Sequence, residues 1–366
     1  MASYERYQLK GGETRWRVWW RDPDHKRKNK SGFKTKRDAS EWAARNVTVA
    51  MNDGAYIDPQ GGRVLIGALG DEWITARENV WKPSHAYAVE SSWKTHVRPK
   101  WGERTLGEVR HSEVQNWVNA LSAKRSASVV LRAFGILKGI YETARDDGRI
   151  SRLPVANIQL PKKTRQKRVY LTPGQLSKLA DCSGVHRPLI LVLGLCGLRW
   201  GEATALTVGD VDFAMNRLHV NKSVSQVGGG YQLGSPKNGR SRDVPMFRPV
   251  ADALHEAVRG KASDDLLFPS ATGGYMPPQG KRHEHSWYGR ALKESGVPPL
   301  TCHDLRHTAA SIAVHSGANV KVIQRMLGHS SAAMTLDTYA DLFDADMDSL
   351  TLDVNAAIAD VFDEDK

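Results

Sequence analysis

The chain is short of cysteine. Cys182, Cys196 and Cys302 are the only three in 366 residues, and none forms a Cys-x-x-Cys pair. Neither a disulfide framework nor a cysteine zinc site is expected. Long apolar runs are also missing. The longest, Pro188 to Leu198, is eleven residues between Arg187 and Arg199, where a bilayer-spanning helix needs roughly 20. The opening Met-Ala-Ser-Tyr-Glu-Arg carries no apolar signal segment. A membrane protein is therefore not expected; a cytosolic one with reduced thiols is. No compact carboxylate cluster suited to two metal ions stands out, so no metal or other cofactor is expected. Negative charge is in deficit: 40 Asp+Glu against 52 Lys+Arg leave +12. That balance points to a polyanion, either nucleic acid or an acidic membrane surface. Hydrophobic residues, at 40%, suffice for sizeable cores, and the length suggests two or three domains of roughly 100–200 residues.

The surplus is unevenly spread. Residues 1–60 hold 13 basic and 8 acidic residues, residues 61–170 hold 20 and 10, and residues 171–336 hold 18 and 12. Residues 337–366 reverse the sign, with 1 basic and 10 acidic. Three basic blocks thus precede an acidic tail, which is unsuited to lie along a phosphate backbone. Solvation, folding back onto a basic surface and contact with another protomer all fit such a tail.

Residues 1–60 read as a small β-sheet plus one helix. Trp16, Val18 and Trp20 alternate with Arg15, Arg17, Trp19 and Arg21, so a strand would set the two groups on opposite faces. A second extended stretch, Lys26 to Lys36, includes Lys34, and Thr35 with Asp38 three residues on signals a helix start. The Arg and Lys face suits a DNA groove; the plain alternative is a solvated sheet. Asp58 to Gly62 reads as a linker.

Residues 65–160 read as all-helical, with helices over Leu65–Ala76, Ser84–Thr95, Ser112–Leu121 and Ser126–Asp146 and with Ser112 as a cap. The basic run 161–170, with Lys162, Lys163, Arg165, Lys167 and Arg168, reads as a linker. It suits tracking a DNA backbone and equally suits a soluble hinge. Thr172-Pro173 opens a new helix.

The second half carries groups suited to a phosphate. Gly197 and Gly201 bracket Arg199 and are expected to break the helix there, with Glu202 in the next first turn. Leu218–Val224, Tyr231–Gly234 and Ser241–Met246 read as strands, the last two joined by a hairpin at Lys237-Asn238-Gly239-Arg240. His303 and Arg306 share a helical face. The His303-x-x-x-His307 spacing also resembles a zinc-hydrolase helix, but Asp304 replaces the Glu and Arg306 would set a cation beside a metal. Gly328 is read as the stop of a helix over Val320–Leu327, and Tyr339 follows His329 by ten residues. Taken alone, Tyr339 reads as a packing residue on a face with Leu336, Ala340 and Phe343.

Together these pieces resemble the tyrosine site-specific recombinases of phage integrase type. The resemblance rests on Leu-Arg199-Trp-Gly-Glu202, the Lys237 turn, His303-Asp-Leu-Arg306-His-Thr, Leu-Gly-His329-Ser-Ser and Tyr339, in that order. It covers residues 171–345 as a mixed, mainly α catalytic domain with a small antiparallel sheet. Residues 65–160 look like the helical core-binding domain and residues 1–60 like an arm-type DNA-binding domain. The resemblance implies Tyr339 as nucleophile, Arg199 and Arg306 on the phosphate, and Lys237 as acid for the leaving oxygen. It further implies His303 as base or acid at the nucleophile, His329 as a hydrogen bond to the phosphate, and Glu202 in support. It implies double-stranded DNA with core and arm-type sites, a homotetramer assembled on it, and host DNA-bending and directionality proteins as further partners, in a bacterial cytosol. The acidic stretch 346–366, with an apolar stripe at Val354, Ala357, Ile358 and Val361, then becomes a candidate protomer-contacting helix. A type IB topoisomerase shares most of the set but usually has Lys where His303 stands. A non-catalytic DNA-binding regulator of the same fold is the rival of another class.

Overall fold

The computed structural model of the chain describes residues 2–22, 25–48, 51, 61–163, 168–236, 238–280, 285–343 and 354–355. Lys237, Arg165, Lys167 and nearly all of the acidic stretch 346–366 lie outside the described residues. The described part is mainly α, with three small antiparallel sheets. It divides into two compact units, Met1–Arg165 and Gln166–Lys366.

The first unit holds two separate apolar clusters. One belongs to a three-stranded antiparallel sheet, β1 (Ser3–Gln8), β2 (Thr14–Arg21) and β3 (Arg27–Phe33), in that spatial order. The alternation along β2 dictates its faces: Val18 and Trp20 are buried against Ala39, Ala43 and Val47, with Trp16 packed beside them. These alanines sit in or beside α1 (Lys36–Ala43), whose start is fixed by a reciprocal cap between Thr35 and Asp38. Strand β1 was not anticipated; its Tyr4 and Tyr7 are too widely spaced to show the period of two.

The other cluster gathers α2 (Ile66–Glu78), α3 (Pro83–Ser92), α4 (His111–Ser122) and α5 (Ala127–Asp146). Helix α5 carries the expected stripe, with Val130, Phe134, Leu137, Ile140 and Tyr141 buried. Ser112 is not the cap of α4. The helix starts one residue earlier, because Glu113 reaches back to accept from the Arg110 backbone N–H at 2.9 Å.

The second unit has its own core, spread over α6 (Pro173–Asp181), α7 (Arg187–Leu191), α8 (Trp200–Ala203), α9 (Arg248–Ala257), α10 (Trp287–Ser295), α11 (Cys302–His315), α12 (Val320–Leu327) and α13 (Ala332–Phe343). Five short strands lie between α8 and α9: β4 (Val211–Asp212), β5 (Arg217–Val220), β6 (Ser223–Val227), β7 (Gly230–Gly234) and β8 (Arg242–Pro245). Two sequence expectations fail here. The span Leu218–Val224 is not one strand but parts of two. And β7 does not pair with β8 across the Asn-Gly turn. Instead β6 pairs with β7, and β8 pairs with β5, with Val244 opposite Leu218. Burial explains the choice: Leu218, Val220 and Val244 are core residues, whereas every residue of β7 is exposed and has nothing to offer that sheet.

Gly197 ends the apolar helical run at φ 68°, as its sequence context suggests. Gly201 does not break a helix; it lies inside α8. A Cβ there would stand 2.2 Å from the Val224 carbonyl oxygen, so Gly201 is what lets β6 approach α8. Replacing Gly201 with Ala should therefore cost on the order of 1–3 kcal/mol through overpacking, read as a lowered urea midpoint with an unchanged slope.

Candidate active site

Five stretches meet in the second unit. Arg199 leads into α8, and Glu202, in its first turn, reaches back to the Arg199 backbone N–H at 3.0 Å. The Arg199 guanidinium also donates to Glu202 Oε1 at 2.7 Å. From β8, Arg242 donates to both carboxylate oxygens, at 3.2 and 2.7 Å. Glu202 is wholly buried. Burial works to raise its pKa, but the Arg242 hydrogen bonds and charge, helped by Arg199, bring it down to about 2. It is a carboxylate at any ordinary pH.

The third stretch is the start of α11, fixed by a cap in which Asp304 accepts from the Thr301 N–H at 2.7 Å. This aims Arg306 inward, where it is 2% exposed. Its guanidinium donates to the carbonyls of Gly197 at 2.7 Å and Leu327 at 2.5 Å. Burial, and then the charge of Arg199, lower its pKa to about 9, which leaves it charged at neutral pH.

The fourth is the end of α12. Gly328 stops the helix at φ 64°. Its carbonyl accepts from Arg199 at 3.3 Å and from Asn238 at 2.5 Å, so the residue after Lys237 is tied to this corner. Next along, the His329 ring meets Thr335 through Nδ1 at 2.9 Å. Burial and the charges of Arg306 and Arg199 depress His329 to about 4, so it is neutral.

Tyr339 closes the set. It is 1% exposed, and its ring lies 6.3 Å from that of His329, nearly parallel. Helix α13 is interrupted there, with Tyr339 at φ −125° and ψ 20°. The expected apolar face of α13 is only partly realised: Tyr339 is buried, but Leu336 is 45% exposed and Ala340 is exposed. Burial pushes the phenol up to about 12, with Arg306 and Arg168 acting the other way. Its hydroxyl lies 2.9 Å from His307 Nδ1. His303 is exposed and sits edge-on to His307, ring centroids 5.0 Å apart.

The predicted residues Arg199, Glu202, His303, Arg306, His329 and Tyr339 are thus brought together. Two members had gone unseen. Arg242 lies in a strand whose pattern says nothing of a carboxylate partner, and His307 was weighed only for its zinc-like spacing to His303, which Asp304 and Arg306 argue against, and was given no role. Arg168 is not on an open backbone track: its guanidinium donates to the Thr338 carbonyl and lies 6.0 Å from the Tyr339 ring. Lys162 and Lys163 are exposed. On the separate sheet face, Arg17 stacks between Tyr7 and Trp19, and Arg27 lies 4.0 Å over Trp19. Arg15 pairs with Glu13 at 2.8 Å, Arg21 donates to the His25 carbonyl, and Lys34 is exposed. Among the described residues no three His, Cys, Asp or Glu side chains converge as metal ligands, and no helix is long and apolar enough to cross a membrane.

Residues 170–346 match the model of the phage integrase family, and residues 67–160 match that of the phage integrase central domain. A protein of Mycobacterium tuberculosis that carries the name of prophage phiRv2 integrase is 26% identical over 253 residues. That alignment spans 66% of this chain and 65% of the relative, so just under two thirds of the relative's length is matched. The integrase of Mycobacterium phage D29 is 26% identical over 323 residues, 83% of each protein. Among solved structures, the Tn1549 transposon integrase in complex with transposon right end DNA is similar at a TM-score of 0.66 and 25% identity, covering 79% of this chain and all of that one. A lambda integrase tetramer bound to a Holliday junction shares the fold at 0.59 and 17% identity, covering 89% and 96%.

Glu202 offers a direct test of the cluster. Glu202→Gln leaves two guanidinium groups facing a neutral amide. It should destabilise the protein by about 3 kcal/mol, the low end for a broken buried pair, because Arg199 keeps 21% of its side-chain exposure. The wild-type advantage should be full above pH 4.5, the ordinary value for Glu, and should fade as pH falls towards 2. Urea unfolding of both proteins across that window measures it.

Proposed function

We propose that this chain, which belongs to the phage integrase family of tyrosine recombinases, cuts and rejoins DNA at specific sites through a 3′-phosphotyrosine, integrating and excising phage or mobile-element DNA. The observation that carries the reading is the meeting of Arg199, Arg306, His329 and Tyr339 at one buried corner, in a chain whose two larger blocks match both family models. Tyr339 attacks the scissile phosphorus and a 5′-hydroxyl leaves. This covalent step stores the phosphodiester bond for rejoining.

Arg199 and Arg306 bind the non-bridging oxygens, since a planar guanidinium matches phosphate and keeps its charge. Donors held in advance where charge develops contribute on the order of 3–4 kcal/mol each. With Thr335 donating to His329 Nδ1, the other ring nitrogen carries the proton and donates to the phosphate. His303 serves as base or acid in the proton transfer at the nucleophile. Lys237 protonates the leaving oxygen, and the Asn238 bond to Gly328 supports a position for it near Arg199. Glu202 acts by holding Arg199.

Residues 65–160 grip the core site, and the sheet face with Arg15, Arg17, Trp19, Arg21 and Lys34 binds arm-type sites. Lys162, Lys163, Arg165, Lys167 and Arg168 belong to the basic linker between the helical and catalytic domains. Strand exchange between two duplexes needs four sites, hence a tetramer on DNA, with host bending and directionality proteins as added partners. The acidic stretch 346–366 contacts a neighbouring protomer.

Incubation with a nicked suicide substrate should trap a covalent protein–DNA adduct. Tyr339→Phe should bind the same DNA and form none; adducts from that variant would sink the assignment. Efficient relaxation of a plasmid without a recombination site, with no recombinants, would favour a topoisomerase instead. Deleting residues 1–60 should spare cleavage at core sites and weaken arm-site binding, and unchanged arm-site affinity in a gel-shift titration would refute that part.

A further inference from the structure

Resting on that reading, we propose that His307 is a further catalytic residue: its Nδ1 takes the proton of the Tyr339 hydroxyl as the phenolic oxygen attacks the phosphate. The two atoms are 2.9 Å apart, within reach of direct transfer. Tyr339 is buried, so water does not stand in for this contact. With the phenol donating, the His307 proton sits on Nε2, and Nδ1 presents the lone pair that accepts.

The helix gives a reason for the arrangement. His307 follows Arg306 directly in α11, so the phosphate clamp and the proton acceptor are set by one capped helix start. His303, four residues earlier, lies one turn away and outward. The charged and titratable groups facing His307 are His303, Asp304 and Arg306 from α11, Arg168 from the segment before α6, and Tyr339 from α13; His329 also senses it. Burial, then His303 and Arg168, depress His307 to about 4. It is therefore fully in its accepting form at neutral pH. The same values keep the phenol protonated in the protein without DNA, so the nucleophile does not ionise early. A phosphate bound by Arg306 offsets one of the charges that repel a proton on His307.

The balance is simple. The O–H bond of Tyr339 breaks and its proton goes to His307. The Oη–P bond forms, the P–O5′ bond breaks, and the leaving oxygen takes its proton from the separate acid, Lys237 in the reading above. On rejoining, the 5′-hydroxyl gives its proton back to Lys237 as it attacks, the O5′–P bond forms, the P–Oη bond breaks, and the phenolic oxygen takes the proton returned by His307.

The experiment compares wild type, His307→Asn and Lys237→Ala on a suicide substrate with a normal phosphate and on one with a 5′-bridging sulfur, whose thiolate leaves without an acid. The Asn carbonyl can hold the hydroxyl but cannot take its proton. His307→Asn should bind DNA normally and cleave roughly 10²–10⁴-fold more slowly on both substrates, while Lys237→Ala recovers on the sulfur one. A fluorotyrosine at position 339, more acidic than tyrosine, should restore part of the rate lost in His307→Asn. Cleavage by His307→Asn within a few-fold of wild type, or its rescue by the bridging sulfur, overturns the assignment while leaving the recombinase reading intact. A wild-type chain that forms no adduct on either substrate overturns both.

Discussion

The buried carboxylate of Glu202 is the interaction on which the arrangement of the second unit's arginine cluster depends. A lone carboxylate without solvent would cost several kcal/mol and would simply protonate. Here each oxygen accepts twice: Oε1 from the guanidinium groups of Arg199 and Arg242, Oε2 from Arg242 and the Arg199 backbone. Those four bonds keep it ionised, and they fix Arg199 in both backbone and side chain. Because Arg242 arrives from β8, the carboxylate also joins the corner before α8 to the small sheet. Gly201, with no Cβ to strike the Val224 carbonyl, lets the other sheet approach the same short helix through β6.

The second support is the end of α12. The last carbonyls of a helix have no partner within it and carry its negative dipole end. Here three in succession are used for cations: Met326 accepts from Arg242, Leu327 from Arg306 and Gly328 from Arg199. A single helix terminus thus spaces three guanidinium groups that come from three other segments. The next residue is His329, so its place is set by the same terminus. The Gly328 turn must stay glycine-like for this to work, since a Cβ would lie 3.0 Å from the Arg242 guanidinium and the backbone is left-handed.

This division explains what could be read without coordinates. Arg199, Arg306, His329 and Tyr339 sit in short segments whose caps and stops are local signals, so their helices were legible in outline. The apolar stripe of α5 followed from its helical periodicity. Pairing between strands was not legible, because Asn238-Gly239 is a local turn signal and the choice of β5 for β8 is decided by burial across the sheet. Arg242 was invisible for the same reason: its partners lie 40 and 84 residues away. The place of His307 was not legible either, since its spacing to His303 is a local fact and its contact with Tyr339, 32 residues on, is not.

The charge balance of the corner links these points. Three guanidinium groups face one carboxylate, so the cluster keeps a positive surplus without DNA. Helix and turn carbonyls solvate that surplus and make it tolerable in a buried place. The same surplus disfavours protons on nearby imidazoles: Arg306 and Arg199 act on His329, Arg168 and Arg306 on His307, each adding to the effect of burial. Neutral histidines can both give and accept hydrogen bonds, which imidazolium cannot. A phosphate entering the corner would therefore meet fixed cations for its oxygens and uncharged rings for proton traffic. The fixed cations come from the concentration of arginine around a helix end and a single buried glutamate, and the uncharged rings come first from burial, with nearby positive charge adding to it.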